Sequence, residues 1–144
     1  MRRIAALLAF ATLVACGGSE ATSPPTQTGG KTFSGTYVLQ SVNGSALPYT
    51  FGNLKGDYFT IRSYSVTIGA AGSWSSTEST VSSTDGTVVD QPSATQSGAY
   101  TYNATTKAVT LLSTDLSTAF TGSVSSDLTT LTVTSSNDVY VFKQ

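Results

Sequence analysis

The chain has 144 residues and a formal net charge of −1, with seven Lys and Arg against eight Asp and Glu. This length predicts one domain, and the mild acidity gives no reason to expect a nucleic acid partner. With no His and a single Cys, the composition excludes Ser-His-Asp and Cys-His catalysis, a His/Cys zinc site and an intrachain disulfide. We therefore expect no enzyme activity, no metal and no cofactor.

The N-terminal segment has the three parts of a secretory signal. Arg2 and Arg3 provide a positive start, residues 4–14 are apolar, and the small Ala15 precedes Cys16. The apolar run is too short to span a hydrocarbon core, which needs about 20 residues. The pattern therefore predicts an export signal.

The ending Leu13-Val14-Ala15-Cys16 resembles the lipobox of bacterial lipoproteins. The resemblance implies that residues 1–15 are removed and that Cys16 is acylated, so that two or three acyl chains anchor the protein in a membrane. Because Gly17 and not Asp follows the cysteine, it also implies an outer-membrane location, facing the periplasm or the cell surface. The alternative is an ordinary signal peptide that happens to contain a cysteine.

Residues 17–31 contain Ser, Thr, Pro, Gln and Gly and no apolar residue larger than Ala. This composition is typical of a flexible tether. The predicted organisation is a signal peptide at 1–15, a lipidated cysteine and linker at 16–32, and a folded domain at 33–144.

Short segments with apolar residues at every second position fill the domain, and no helical pattern competes with them. Phe33, Tyr37 and Leu39 share one face of the first predicted strand. The apolar positions change phase near Arg62-Ser63, which predicts a β-bulge there. Residues 75–83 are polar and alternate weakly, which predicts an exposed or edge strand.

Together these segments predict about eight or nine strands joined by tight turns. Sequential hairpins make neighbouring strands antiparallel, and aromatic side chains on single faces favour closure. The sequence therefore predicts an all-β fold, a small antiparallel up-and-down barrel, with a β-sandwich as the second choice.

Several short segments resemble the small lipocalin-like domains of bacterial lipoproteins. They cover about residues 33–143 and are Gly35-Thr36-Tyr37-Val38-Leu39, Ser41-Val42-Asn43-Gly44, Leu47-Pro48, Gly98-Ala99-Tyr100-Thr101-Tyr102, Phe120-Thr121-Gly122-Ser123-Val124 and Val139-Tyr140-Val141-Phe142-Lys143. The resemblance implies a lipocalin-like barrel with a site for a small hydrophobic ligand.

Six side chains are candidates for lining such a site inside the barrel: Tyr37, Arg62, Tyr64, Trp74, Tyr100 and Tyr102. The favoured alternative places Arg62 on the outer face, where a charge discourages edge-to-edge association, and the tyrosines in a filled core. A glycosidase needs two convergent carboxylates, and the candidates for such a pair are Glu78 with either Asp57 or Asp90.

Two function classes remain. In the first, a lipid-anchored module binds a small hydrophobic molecule in the barrel. In the second, a structural or protein-interaction lipoprotein with a filled core works through its loops, for example as an inhibitor of an envelope enzyme. Both predict a monomer whose partners are the membrane, through Cys16, and either a small ligand or an envelope protein.

Overall fold

A computed structural model describes residues 32–54, 57–115 and 118–144. The predicted signal peptide at 1–15, the lipidation site Cys16 and all but the last residue of the predicted linker at 16–32 lie outside these residues. The described residues form eleven strands, which are β1 (Gly35–Val42), β2 (Ser45–Ala46), β3 (Tyr49–Leu54), β4 (Asp57–Ile68), β5 (Ser73–Thr84), β6 (Thr87–Asp90), β7 (Ala94–Tyr102), β8 (Ala108–Ser113), β9 (Ala119–Val124), β10 (Thr130–Ser135) and β11 (Asp138–Lys143).

Eight of these strands close into an antiparallel barrel. In the order β1, β4, β5, β7, β8, β9, β10 and β11, each pairs with the next, and β11 pairs with β1. Closure comes from β1 and β4, where Gly35 pairs with Ile68 and Val38 with Ser65. The predicted up-and-down barrel is confirmed, and the β-sandwich is not the fold.

A small sheet extends the barrel at one end because β4 and β5 have 12 residues each. The first part of β4 pairs with β3, and the last part of β5 pairs with β6. We call β3, β6 and these parts of β4 and β5 the extension. The register between β4 and β5 shifts between Ile61 and Ser63, where barrel and extension meet. The bulge predicted near Arg62-Ser63 is therefore confirmed.

The prediction of an exposed or edge strand at 75–83 is wrong. Strand β5 pairs with β4 along its length and with β7 and β6 on its other side. Ser76, Thr80 and Ser83 are buried. Their small polar side chains resemble a solvent face in the sequence, but closure of the barrel and the added strands cover them.

The barrel has two ends of different construction. At one end lie the start of β1 and the turns that join β4 to β5, β7 to β8 and β9 to β10. We call it the closed end, because Phe33, Tyr37, Tyr100 and Tyr102 pack there with at most 8 % of their surface exposed. The opposite end, from which the extension projects, is called the mouth.

Hydrogen bonds fix the aromatic side chains of the closed end. The Tyr37 hydroxyl donates to the carbonyl of Leu128 at 2.7 Å, and the Tyr100 hydroxyl donates to the carbonyl of Phe33 at 3.3 Å. The Phe33 ring centroid lies 5.0 Å from that of Tyr102. Burial raises the pKa of Tyr37 to about 12, so its hydroxyl stays protonated and remains a donor.

Candidate functional site

A cavity of about 150 Å³ lies inside the barrel toward the mouth. Alternate residues of seven strands point into it, as the period of two requires. They are Tyr64, Val66, Trp74, Ser76, Glu78, Ala94, Gln96, Leu111, Phe120, Val133, Ser135, Tyr140 and Phe142.

Small side chains explain why the barrel is open here and filled at the other end. Ser76, Ala94 and Ser135 occupy inward positions on β5, β7 and β10. Further along β7 toward the closed end, the inward positions 100 and 102 carry Tyr100 and Tyr102, which are buried. An eight-stranded barrel is just wide enough for its side chains, so a few small residues on neighbouring strands leave room for one small ligand.

The inner part of the cavity is aromatic and rigidly held. The Trp74 and Phe120 rings meet edge to face with their centroids 6.2 Å apart. The Trp74 indole N–H donates to the carbonyl of Leu112 at 3.1 Å, which fixes the ring orientation. The Tyr64 and Phe142 rings form a second edge-to-face pair at 5.3 Å. Such pairs contribute about 0.5–1.5 kcal/mol each beyond the area they bury, so this wall is preformed.

The outer part of the cavity is polar and carries one carboxylate. Burial raises the pKa of Glu78, which is the cross-strand partner of Tyr64. Burial also raises the pKa of Tyr64, and the nearby Glu78 charge adds to this effect, whereas a hydrogen bond with Ser76 opposes it. The pKa of Tyr140 rises to about 12, first through burial and then through the charges of Asp138 and Glu78. Both tyrosine hydroxyls therefore remain protonated donors at neutral pH.

The six predicted lining residues separate into three groups. Tyr64 and Trp74 line the cavity. Tyr37, Tyr100 and Tyr102 lie at the closed end, packed around Phe33. Arg62 lies at the bulge on the outer face, with 54 % of its side chain exposed and its Nη1 atom 2.7 Å from Asp90 Oδ1.

The carboxylates considered for a glycosidase pair do not meet in the cavity. Asp90 pairs with Arg62 on the outer face, and Asp57 accepts a hydrogen bond from the backbone N–H of Asp85 in the extension. Glu78 is therefore the one carboxylate among the described cavity residues.

The sequence interpretation missed Glu78, Gln96, Ser135 and Tyr140 as cavity residues. The sequence could have identified Glu78 as a cavity residue, because positions 74, 76 and 78 share one face of a strand and Trp74 was a predicted lining residue. The interpretation of β5 as an exposed strand concealed this pattern. Tyr140 was hidden because β11 is apolar on both faces, so its inward positions cannot be chosen by polarity.

The described residues contain no group of three or more His, Cys, Asp and Glu placed to hold a metal ion. Those residues also form no helix with the length and apolar character needed to cross a bilayer. Searches of known protein families, curated proteins and solved structures found no match to this chain. The fold and the cavity therefore carry the functional argument alone.

Proposed function

We propose that the protein is a lipid-anchored lipoprotein of the bacterial cell envelope whose lipocalin-like barrel binds a small hydrophobic molecule.

 The observation that carries this proposal is the preformed cavity behind the mouth, with an aromatic inner wall and a polar outer part. An apolar cavity with a few convergent polar groups is the usual form of a small-molecule site.

The size of the cavity limits the ligand. Sites for drug-sized molecules occupy about 300–1,000 Å³, whereas a cavity of about 150 Å³ accepts a molecule the size of benzene. The cavity here has about 150 Å³. A fatty acid chain does not fit within it, so we infer a compact ligand built around one ring or a short branched chain.

The proposed anchor is compatible with a free mouth. The chain enters the barrel at Phe33, which is buried at the closed end. This end is opposite the cavity. A membrane anchor attached through the residues that precede Phe33 would therefore not need to cover the site.

The ligand proposal is tested by native mass spectrometry of the protein purified from the cells that make it. We expect an additional small mass on the wild-type protein and its loss in Ser135→Phe, whose added ring occupies the cavity. Thr134→Phe is the matched control, because Thr134 is exposed on the same strand. An identical bound mass in Ser135→Phe and the wild type would contradict binding in the cavity.

The anchor is tested separately with labelled palmitate. We expect the label to enter the wild-type protein and to be absent from Cys16→Ser, which should also leave the membrane fraction. Equal labelling of the two proteins would rule out lipidation at this cysteine.

A second function, protein interaction through the extension, is favoured by one observation. Val88 and Val89 on β6 are 56 % and 50 % exposed, and Phe59 on β4 is 39 % exposed. If the extension binds an envelope protein, Val88→Asp should abolish cross-linking to that partner in cells and leave the small bound mass unchanged.

A further inference from the structure

We propose that the ligand is a small organic cation, an amine with a compact apolar body, and that Glu78 binds its ammonium group. This inference rests on the proposed function and specifies the chemistry of the same site. The carboxylate lies in the outer part of the cavity, level with Tyr64, and the Trp74 ring lies four residues further along β5 toward the closed end. A molecule with one charged end and one apolar end matches both parts.

Glu78 lacks a partner among the described residues. Within the described parts of the chain, its carboxylate takes part in no ion pair and no hydrogen bond, and the residues that line the cavity include no Lys or Arg. A carboxylate only accepts hydrogen bonds when ionised, and leaving it half-buried without a donor is unfavourable. An ammonium group supplies both the opposite charge and three N–H donors.

Aromatic side chains surround the cavity. The rings of Tyr64, Trp74, Phe120 and Tyr140 all border the cavity. The negative face of such rings attracts cations, most strongly where water is excluded. A carboxylic acid ligand would gain nothing from these faces and would meet the like charge of Glu78.

The two ends of the barrel differ in charge. The mouth has Glu78 within it and Asp138 at the start of β11, and the Asp138 charge acts on the cavity residue Tyr140. The closed end carries Lys107, whose Nζ atom lies 6.0 Å from the centre of the Tyr102 ring, and Lys143 at the end of β11. The carboxylate of Asp127, whose charge acts on Tyr37, offsets one of these two cations. A cation is therefore attracted toward the mouth.

The experiment compares three probes that share one ring: cyclohexylamine, cyclohexanol and cyclohexanecarboxylate. Trp74 is the only tryptophan of the chain and borders the cavity, so its fluorescence reports occupancy in the full protein. At neutral pH we expect cyclohexylamine to bind at least about tenfold more tightly than cyclohexanol, and cyclohexanecarboxylate to bind most weakly.

Two variants separate the role of Glu78 from that of net charge. Glu78→Gln keeps the shape and should reduce the affinity for cyclohexylamine to that for cyclohexanol. Asp90→Asn removes the same charge from the outer face, where Asp90 is 74 % exposed, and should leave all three affinities unchanged.

The outcomes distinguish this inference from the proposed function. If cyclohexanol binds as tightly as cyclohexylamine, or if Glu78→Gln has no effect, the amine is the wrong ligand class and the cavity remains a binding site. If none of the three probes changes the Trp74 fluorescence, binding of small molecules in this cavity is itself wrong.

Discussion

The two ends of the barrel are made from the same eight strands, yet one is filled and the other is open. At the closed end, tyrosine hydroxyls donate to backbone carbonyls, and the Phe33 side chain is fully buried. At the mouth, small residues leave a cavity, and Glu78 is half-buried without a partner in the described chain. We therefore expect stability to depend mainly on the closed end, whereas the unpaired carboxylate at the mouth is available for binding.

The filled closed end explains how a small barrel without a disulfide can contain a cavity. A filled closed end supplies packing that the cavity cannot supply, and the fixed rings of Trp74 and Phe120 form part of the cavity wall. Substitutions at the two ends should therefore affect different properties. Those at the closed end should reduce stability, and those at the mouth should alter ligand binding.

The largest expected effect on stability is that of Phe33→Ala. The Phe33 side chain is fully buried, with its ring centroid 5.8 Å from Tyr37 and 5.5 Å from Tyr100. We expect the free energy of unfolding to fall by about 3–5 kcal/mol in a urea titration. Phe59→Ala is the control, because Phe59 is 39 % exposed on the extension, and it should cost about 1 kcal/mol or less. Equal losses would contradict the concentration of stability at the closed end.

A smaller loss is expected for Tyr37→Phe, which removes only a hydroxyl. That hydroxyl donates to the Leu128 carbonyl at 2.7 Å, so the variant leaves a buried acceptor unpaired. The expected cost is about 1–3 kcal/mol in the same titration. Tyr140→Phe makes the same chemical change at the mouth and should cost less than about 0.5 kcal/mol. A larger cost for Tyr140→Phe would reverse the proposed difference between the two ends.

The smallest effect, of opposite sign, is expected for Glu78→Gln. Because burial raises the pKa of Glu78 in the folded state, the wild type loses stability as the pH rises from the unfolded pKa through the folded one. The variant should therefore match the wild type at about pH 4 and be slightly more stable, by less than about 1 kcal/mol, at neutral pH. Thermal melts across this range measure the difference. A variant that is less stable at neutral pH would mean that the carboxylate has a stabilising partner.

The alternation of apolar residues at every second position was enough to predict most of the fold. It placed Phe33, Tyr37 and Leu39 on one buried face, and the phase change at Arg62-Ser63 located the bulge. It failed where polarity does not report burial. On β5 the small residues facing inward are serines and threonines, and on β4 the aromatic Phe59 lies beyond the barrel and is partly exposed.

The candidate site was harder to predict, because the residues that line a cavity are close in space but far apart in the sequence. Tyr64 and Trp74 were identified, but nothing along the chain shows that Ala94 and Ser135 lie across the interior from them. The volume left between these residues depends on the register of all eight strands. Tyr100 and Trp74 are both aromatic residues on predicted strands, so the sequence does not distinguish their positions. Only the strand register shows that Tyr100 lies at the closed end and Trp74 beside the cavity.

The central claim, that the mouth encloses an accessible apolar space and the closed end does not, is tested most directly by a crystal structure under xenon pressure. Apolar cavities of about 150 Å³ bind xenon. The account predicts a xenon atom beside Trp74, Leu111 and Phe120 and none beside Phe33, Tyr37 and Tyr100. Xenon at the closed end, or a mouth that binds none, would contradict it.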